Sequence, residues 1–313
     1  MRYFLLVFLT TLSYISFAQN STEEKLLTTT SGELKGTLYL PKNANKISLL
    51  IIQAGSGATD RNGNSLPAIK GNAYKLIAEA LAEKNIATLL TDKRGVAGSM
   101  KAMKAEKDLR FDTYATDLAD WVKLVKNDKR FNKIFLAGHS EGSLVAMLAA
   151  QKEKVNGYIS LAGAGESIDK IIVWQYAQQL PKAATVVDSL FTRIRNQQKI
   201  DSVPPFLMSI FRPSVQPYIA SWIQYDPCTE IKKLTMPVLI LQGNTDIQVE
   251  IKQAEMLHTC KPNATYKIID GMNHILKKAS IDRQKNMETY SNAALPLVDG
   301  LVDELVLFIN KKR

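Results

Sequence analysis

Histidine and cysteine are scarce in this chain, with three and two copies in 313 residues. His139, His258, His274, Cys228 and Cys260 are dispersed along the sequence, so no metal-ligand cluster is expected. Neither cysteine sits in a C-x-x-C pair or beside a histidine, which argues against thiol redox chemistry. Cys228 and Cys260 bracket a predicted strand and helix. One disulfide and two separate buried thiols both fit that placement. Low-complexity tracts and internal repeats are absent. Acids are fewer than bases, 30 against 40, for a net charge of +10. The lysines are scattered among acids, and no basic block is interleaved with stacking aromatics, so nucleic acid is not an expected partner.

Residues 1–18 have their own character. Arg2 precedes the apolar run Tyr3 to Leu12, and Ser16-Phe17-Ala18 places small residues at a cleavage site. This is the layout of a secretory signal peptide, and the run is short for a membrane span. An uncleaved anchor helix is the alternative. No cysteine near the cut indicates a lipid anchor. Cleavage would start the mature chain at Gln19 and remove one charge, Arg2, taking the net charge from +10 to +9. The mature chain is then expected in the periplasm or medium, not inserted in a membrane.

From Glu23 onward the pattern alternates. A hairpin (Lys25 to Thr30, Glu33 to Leu40) is followed by short apolar runs at Ile47 to Ile52, Ala87 to Thr91, Phe131 to Ala137, Gly157 to Leu161, Val238 to Leu241 and Thr265 to Ile269. Longer stretches of helical period separate them, at Ala73 to Lys84, Thr113 to Val125, Glu141 to Lys154, Val249 to Leu257 and Leu295 to Asn310. Such alternation predicts an α/β fold with a mostly parallel sheet. The rhythm breaks between Gly165 and Leu234, which is rich in aromatics, prolines and helical patterns. We read residues 19–313 as one domain with a helical cap inserted at about 166–234.

The chemistry is concentrated at Gly138-His139-Ser140-Glu141-Gly142, directly after the Phe131 to Ala137 run. In a G-x-S-x-G turn between strand and helix the serine hydroxyl is exposed above the sheet, and the glycines allow the tight turn. The helix N-terminus also directs backbone N–H groups at the space where an oxyanion would develop. Ser140 needs a base, and the base needs a carboxylate to fix its tautomer. His139 adjoins Ser140 and is read as a packing residue of the turn; His258 is read as a helix-end residue. His274 lies in the loop after the last predicted strand, where ligand-facing groups of parallel sheets gather. Asp246, in the loop after Val238 to Leu241, fits the carboxylate better than Asp270, too close to His274, or Asp226, at the end of the cap. The second oxyanion donor is expected from Ala54-Gly55-Ser56-Gly57: the Ser56 N–H, or alternatively that of Gly57, paired with the Glu141 N–H. Position 60 is Asp60 rather than a third spaced glycine, so this loop is a weak dinucleotide signal and no cofactor is expected.

With Gly55-Ser56-Gly57, Gly138-His139-Ser140-Glu141-Gly142, Asp246 and His274 in this order, the chain resembles the α/β-hydrolase superfamily over nearly its whole mature length. More narrowly it is similar to bacterial esterases and serine aminopeptidase-like hydrolases. The stretches Gly55 to Asn64, Asp92-Lys93-Arg94-Gly95, Phe211 to Tyr218 and Tyr225-Asp226-Pro227 carry that likeness. The resemblance implies hydrolysis of a small carboxylic ester through an acyl-serine. Many relatives begin the oxyanion loop with His-Gly, where this chain has Ala54-Gly55. Asp60 and Arg61 fit either an ion pair ordering this loop or a solvated turn. A peptidase or acyltransferase on the same triad is the rival activity. A peptidase would need a cap acid for the substrate ammonium, and Glu166, Asp169, Asp188, Asp201, Asp226 and Glu230 are available. A non-catalytic binding protein is the remaining alternative.

Overall fold

The computed structural model describes residues 20–311, so the expected signal peptide over 1–18 lies outside the described residues. The chain begins with β1 (Ser21–Thr29), β2 (Gly32–Leu40) and β3 (Ile47–Gln53). Then come α1 (Ala73–Glu83), β4 (Ala87–Thr91), α2 (Phe111–Lys126), β5 (Phe131–His139), α3 (Glu141–Lys152) and β6 (Gly157–Leu161). Helices α4 (Ile168–Gln179), α5 (Pro181–Arg195), α6 (Met208–Phe211), α7 (Gln216–Trp222) and α8 (Pro227–Lys232) follow. The chain returns to the sheet with β7 (Val238–Gly243), α9 (Ile251–Cys260) and β8 (Thr265–Ile269), and ends in α10 (Arg283–Glu288) and α11 (Leu301–Asn310).

The strands form one sheet in the order β1-β2-β4-β3-β5-β6-β7-β8. The β1–β2 and β2–β4 pairs are antiparallel, and every other pair is parallel. Successive side chains of a strand face opposite sides, so an unbroken apolar run demands cover on both. β3 follows that logic. Leu49 and Ile51 join the core beneath α2, α3 and the α4–α8 segment, while Leu50 and Ile52 join the core beneath α1 and α11. Helix α2 presents Leu118, Trp121, Val122 and Val125, all buried, at helical spacing. Phe111, at its first turn, stacks on Trp222 of α7 at 5.0 Å, which ties the α4–α8 segment to the sheet domain. The structure joins Cys228 of α8 to Cys260 of α9 by a disulfide. Among the described residues no helix is long and apolar enough to cross a membrane.

Two helix boundaries differ from the sequence pattern for identifiable reasons. The last helix starts at Leu301, not Leu295, because Gly300 turns the chain at φ 82° and Pro296 offers no N–H. Residues 295–298 instead brace the His274 loop: Lys277 Nζ donates to the Leu295 carbonyl (2.6 Å) and the Val298 N–H to that of Leu276 (3.1 Å). Helix α9 starts at Ile251, not Val249, because the N–H groups of Gln248 and Val249 are taken by the Asp246 carboxylate (2.8 and 2.9 Å).

Candidate active site

Ser140 joins β5 to α3 with φ 55° and ψ −123°, a backbone conformation that costs a non-glycine residue about 1–3 kcal/mol. The flanking glycines are required by contact. A Cβ on Gly138 would overlap the Gly142 carbonyl, and one on Gly142 would lie 2.6 Å from the Ala54 carbonyl oxygen. The elbow is thus wedged against the end of β3, and the Ser140 N–H is fixed by the Leu161 carbonyl at 2.9 Å.

His274 and Asp246 come from loops following adjacent parallel strands, β8 and β7. Both side chains are buried, and His274 Nδ1 lies 2.8 Å from Asp246 Oδ2. The Asp246 carboxylate is held on both oxygens. Oδ1 accepts the Gln248 and Val249 N–H groups, and Oδ2 accepts Gln242 Nε2 at 3.1 Å besides the imidazole. With Nδ1–H directed at a carboxylate, His274 Nε2 is left with its lone pair. Gly243 makes the approach of the two loops feasible, since a Cβ there would overlap the Met272 carbonyl. Asp270 is exposed and accepts from Asn244 Nδ2 (2.8 Å), whereas Asp226 caps α8 by accepting the Thr229 N–H (2.8 Å).

His139 does more than pack. Its ring lies 4.9 Å from that of His274, and its Nε2 lies 2.7 Å from the His274 carbonyl oxygen. A carbonyl only accepts, so Nε2 carries the proton and Nδ1 accepts from the Tyr74 hydroxyl at 2.8 Å. Tyr74 in turn accepts the Gly55 N–H at 3.3 Å. A directed chain of hydrogen bonds therefore runs from the Gly55 loop to the backbone of His274. Burial, reinforced by the neighbouring His274, pushes the His139 pKa down to about 3, so the ring is neutral at ordinary pH. Tyr74 carries no motif, and only its place on the buried face of α1 hinted at a role. His258, at the end of α9, stacks on Tyr266 with ring centroids 5.2 Å apart, away from this constellation.

Ser140 borders two cavities. The smaller, about 60 Å³, is shared by Ser140, His139, His274, Tyr74, Gly55 and Ser56. The larger, about 560 Å³, is bordered by Ser140, Ser56, Gly57 and Glu141 and walled by Leu144, Ile171, Ile172, Ile219 and Trp222. Glu141 is the first residue of α3, so its N–H has no acceptor within the helix. Its buried carboxylate accepts from the Tyr218 hydroxyl at 2.8 Å. Lys93 also lines this cavity, its ammonium bonded to the Gly55 carbonyl and 5.4 Å from the Tyr114 ring centroid. Burial draws the Lys93 pKa below the ordinary lysine range, with Glu141 pulling the other way. Asp60 and Arg61 do not pair. Asp60 accepts the Asn62 and Asn64 N–H groups of its own turn, whereas Arg61 pairs with Asp92 and Glu24.

Comparison with known proteins places these features in context. A family model described as serine aminopeptidase, S33, matches residues 70–209. Esterase EstD of Thermotoga maritima is 26% identical over 263 residues, covering 82% of this chain. This chain spans 60% of that relative's length. Among solved structures, Est1E from Butyrivibrio proteoclasticus superposes with a TM-score of 0.57 at 18% identity, covering 91% of this chain and 98% of that one. Est1E has also been solved with ferulic acid bound. The Pyrococcus furiosus esterase Pf2001 gives a TM-score of 0.57 at 16% identity, covering 82% of this chain and 84% of that one.

Proposed function

As this chain has the α/β-hydrolase fold, we propose that it cleaves carboxylic esters through an acyl intermediate on Ser140. The observation that carries this reading is the 2.8 Å contact between His274 and Asp246, which leaves Nε2 able to accept a proton at the cavity that Ser140 borders. In this mechanism Ser140 Oγ attacks the acyl carbon while His274 Nε2 takes its proton. Asp246 holds the ring and offsets the charge of the imidazolium. The Ser56 and Glu141 N–H groups receive the oxyanion, a contribution of about 3–4 kcal/mol per donor in comparable sites. Collapse expels the alcohol, protonated by His274, and water then attacks the acyl-serine by the same route. The apolar wall around Leu144, Ile171 and Trp222 supports an apolar acyl or alcohol group in the larger cavity.

The acids between β6 and β7 favour ester over N-terminal peptide hydrolysis. Asp169 pairs with Arg195, Asp201 with Lys199 and Glu230 with Lys233; Asp226 is a helix cap, and Asp188 is exposed. Glu166 alone of this set borders the cavity, and it is already engaged by Gln253 Nε2 at 2.9 Å. A substrate ammonium would also meet Lys93. The Cys228–Cys260 disulfide supports work in an oxidising compartment, in keeping with export.

The test compares p-nitrophenyl esters of graded acyl length with aminoacyl p-nitroanilides, in wild type and Ser140→Ala. Esters should turn over, anilides should not, and Ser140→Ala should lose about 10⁴-fold or more in kcat. Ester turnover by Ser140→Ala at the wild-type rate, or failure of wild type to label with a fluorophosphonate, would overturn the reading.

A further inference from the structure

The stretch Asp92-Lys93-Arg94-Gly95 follows β4, which lies parallel to β3 in the sheet. The loops after the two strands therefore emerge side by side, and the second of them carries Gly55 and Ser56. Asp92 is occupied by Arg61 (Nε to Oδ2, 2.9 Å) and by the Gly98 N–H (3.0 Å). Arg94 makes a buried two-pronged pair with Asp117, both contacts at 2.6 Å. Lys93 lies between these two anchors, so it cannot swing away. Its ammonium is only 5% exposed with its residue and is held by a carbonyl and an aromatic ring rather than by a carboxylate. A charge kept in such a place is costly to bury, which calls for a reason beyond loop packing.

We propose that Lys93 is a positioning residue of the oxyanion hole, acting through the Gly55–Ser56 peptide; the inference rests on the ester-hydrolase reading above. The Gly55 carbonyl and the Ser56 N–H belong to one planar, trans amide and point in opposite directions. A cation fixed on the carbonyl side therefore fixes the direction of the Ser56 N–H, and Ser56 lines both cavities that Ser140 borders. It also draws electron density from nitrogen, which makes the N–H a stronger donor. That gain grows as negative charge develops on the substrate oxygen, so it favours the transition state over the bound ester. Lys93 itself touches neither the nucleophile nor the base. Its effect belongs in kcat, with KM left in place.

Lys93→Met keeps the apolar stem and removes the charge; Lys93→Gln retains a neutral donor. Each is assayed on a p-nitrophenyl ester and with an aryl trifluoromethyl ketone, which forms an oxyanion adduct on the serine. Both variants should lose about ten- to hundredfold in kcat, less than the loss for a direct donor, with KM within about twofold. The trifluoromethyl ketone should bind more weakly by the same factor as kcat falls. Wild-type kcat and inhibitor affinity in either variant would overturn the inference, as would equal losses in kcat and substrate binding. If Lys93→Met does not fold, Lys93→Gln decides by the same two readings. Fluorophosphonate labelling of wild type, lost in Ser140→Ala, is run alongside. Failure of that control sinks the serine-hydrolase reading, whereas labelling with unaffected Lys93 variants sinks only this inference.

Discussion

Replacing His139 by glutamine should remove a defined part of the acid sensitivity of this fold. In the native state His139 is buried, donates through Nε2, accepts at Nδ1, and has its pKa pushed down from 6.5 to about 3. Protonation would break the bond from Tyr74 and place a cation beside His274. The unfolded chain takes up that proton at an ordinary histidine pKa, so acid favours unfolding. The stability is present above about pH 6.5 and is lost progressively as pH falls toward about 3. Integrating between pH 7 and pH 5, where the unfolded histidine charges and the native one does not, gives about 2 kcal/mol. Glutamine can still donate to the His274 carbonyl and accept from Tyr74 but cannot take a proton in this range. Urea unfolding at pH 7 and pH 5 should therefore show wild type losing about 2 kcal/mol more than His139→Gln. Groups shared by the two proteins largely cancel in that difference. Equal losses in both would refute the assignment of His139 as a buried, neutral, doubly bonded ring.

Tyr74→Phe removes the hydroxyl between the Gly55 N–H and His139 Nδ1 and leaves both without that partner. It should cost about 1–3 kcal/mol in urea unfolding and lower kcat on p-nitrophenyl esters about tenfold, because His274 loses its brace. Gly142→Ala forces a methyl to within 2.6 Å of the Ala54 carbonyl oxygen and should destabilise by about 3 kcal/mol or more, read as a falling Tm. Replacing Cys228 and Cys260 by serine opens a link spanning 32 residues and should cost about 4 kcal/mol on the loop-entropy estimate, measured by unfolding under non-reducing conditions.

What the sequence reveals and what it hides follow from how each residue reaches the site. Ser140, Asp246 and His274 stand at the carboxyl ends of strands whose apolar runs are visible without a structure. The fold sets Asp246 and His274 at hydrogen-bond distance because β7 and β8 are parallel neighbours. Boundaries shifted where a local side-chain bond outweighed helical period. Asp246 captured the N–H of Val249, and Gly300 with Pro296 delayed the last helix. The supporting residues were harder to see. Tyr74 sits in α1 as one more apolar position of a buried face, and Gln242 as the polar end of β7. Spacing alone does not show that their polar ends point into the site.

His139 and Lys93 show why that support matters to the chemistry. An elbow serine can attack only if its base and its oxyanion donors hold still relative to one another, and these come from loops far apart in the chain. The Gly55 loop is held from two sides. Its N–H reaches Tyr74, and through His139 the backbone of His274; its carbonyl holds the Lys93 ammonium. A displacement of the Gly55 loop is therefore transmitted to His274 through three hydrogen bonds, all in a buried setting where a broken bond is costly. Tyr74→Phe and His139→Leu should accordingly be non-additive, the double variant losing little more activity than either single one, because each breaks the same link. If their effects on log kcat add, the two side chains act separately and the hydrogen-bond chain does not couple the loops.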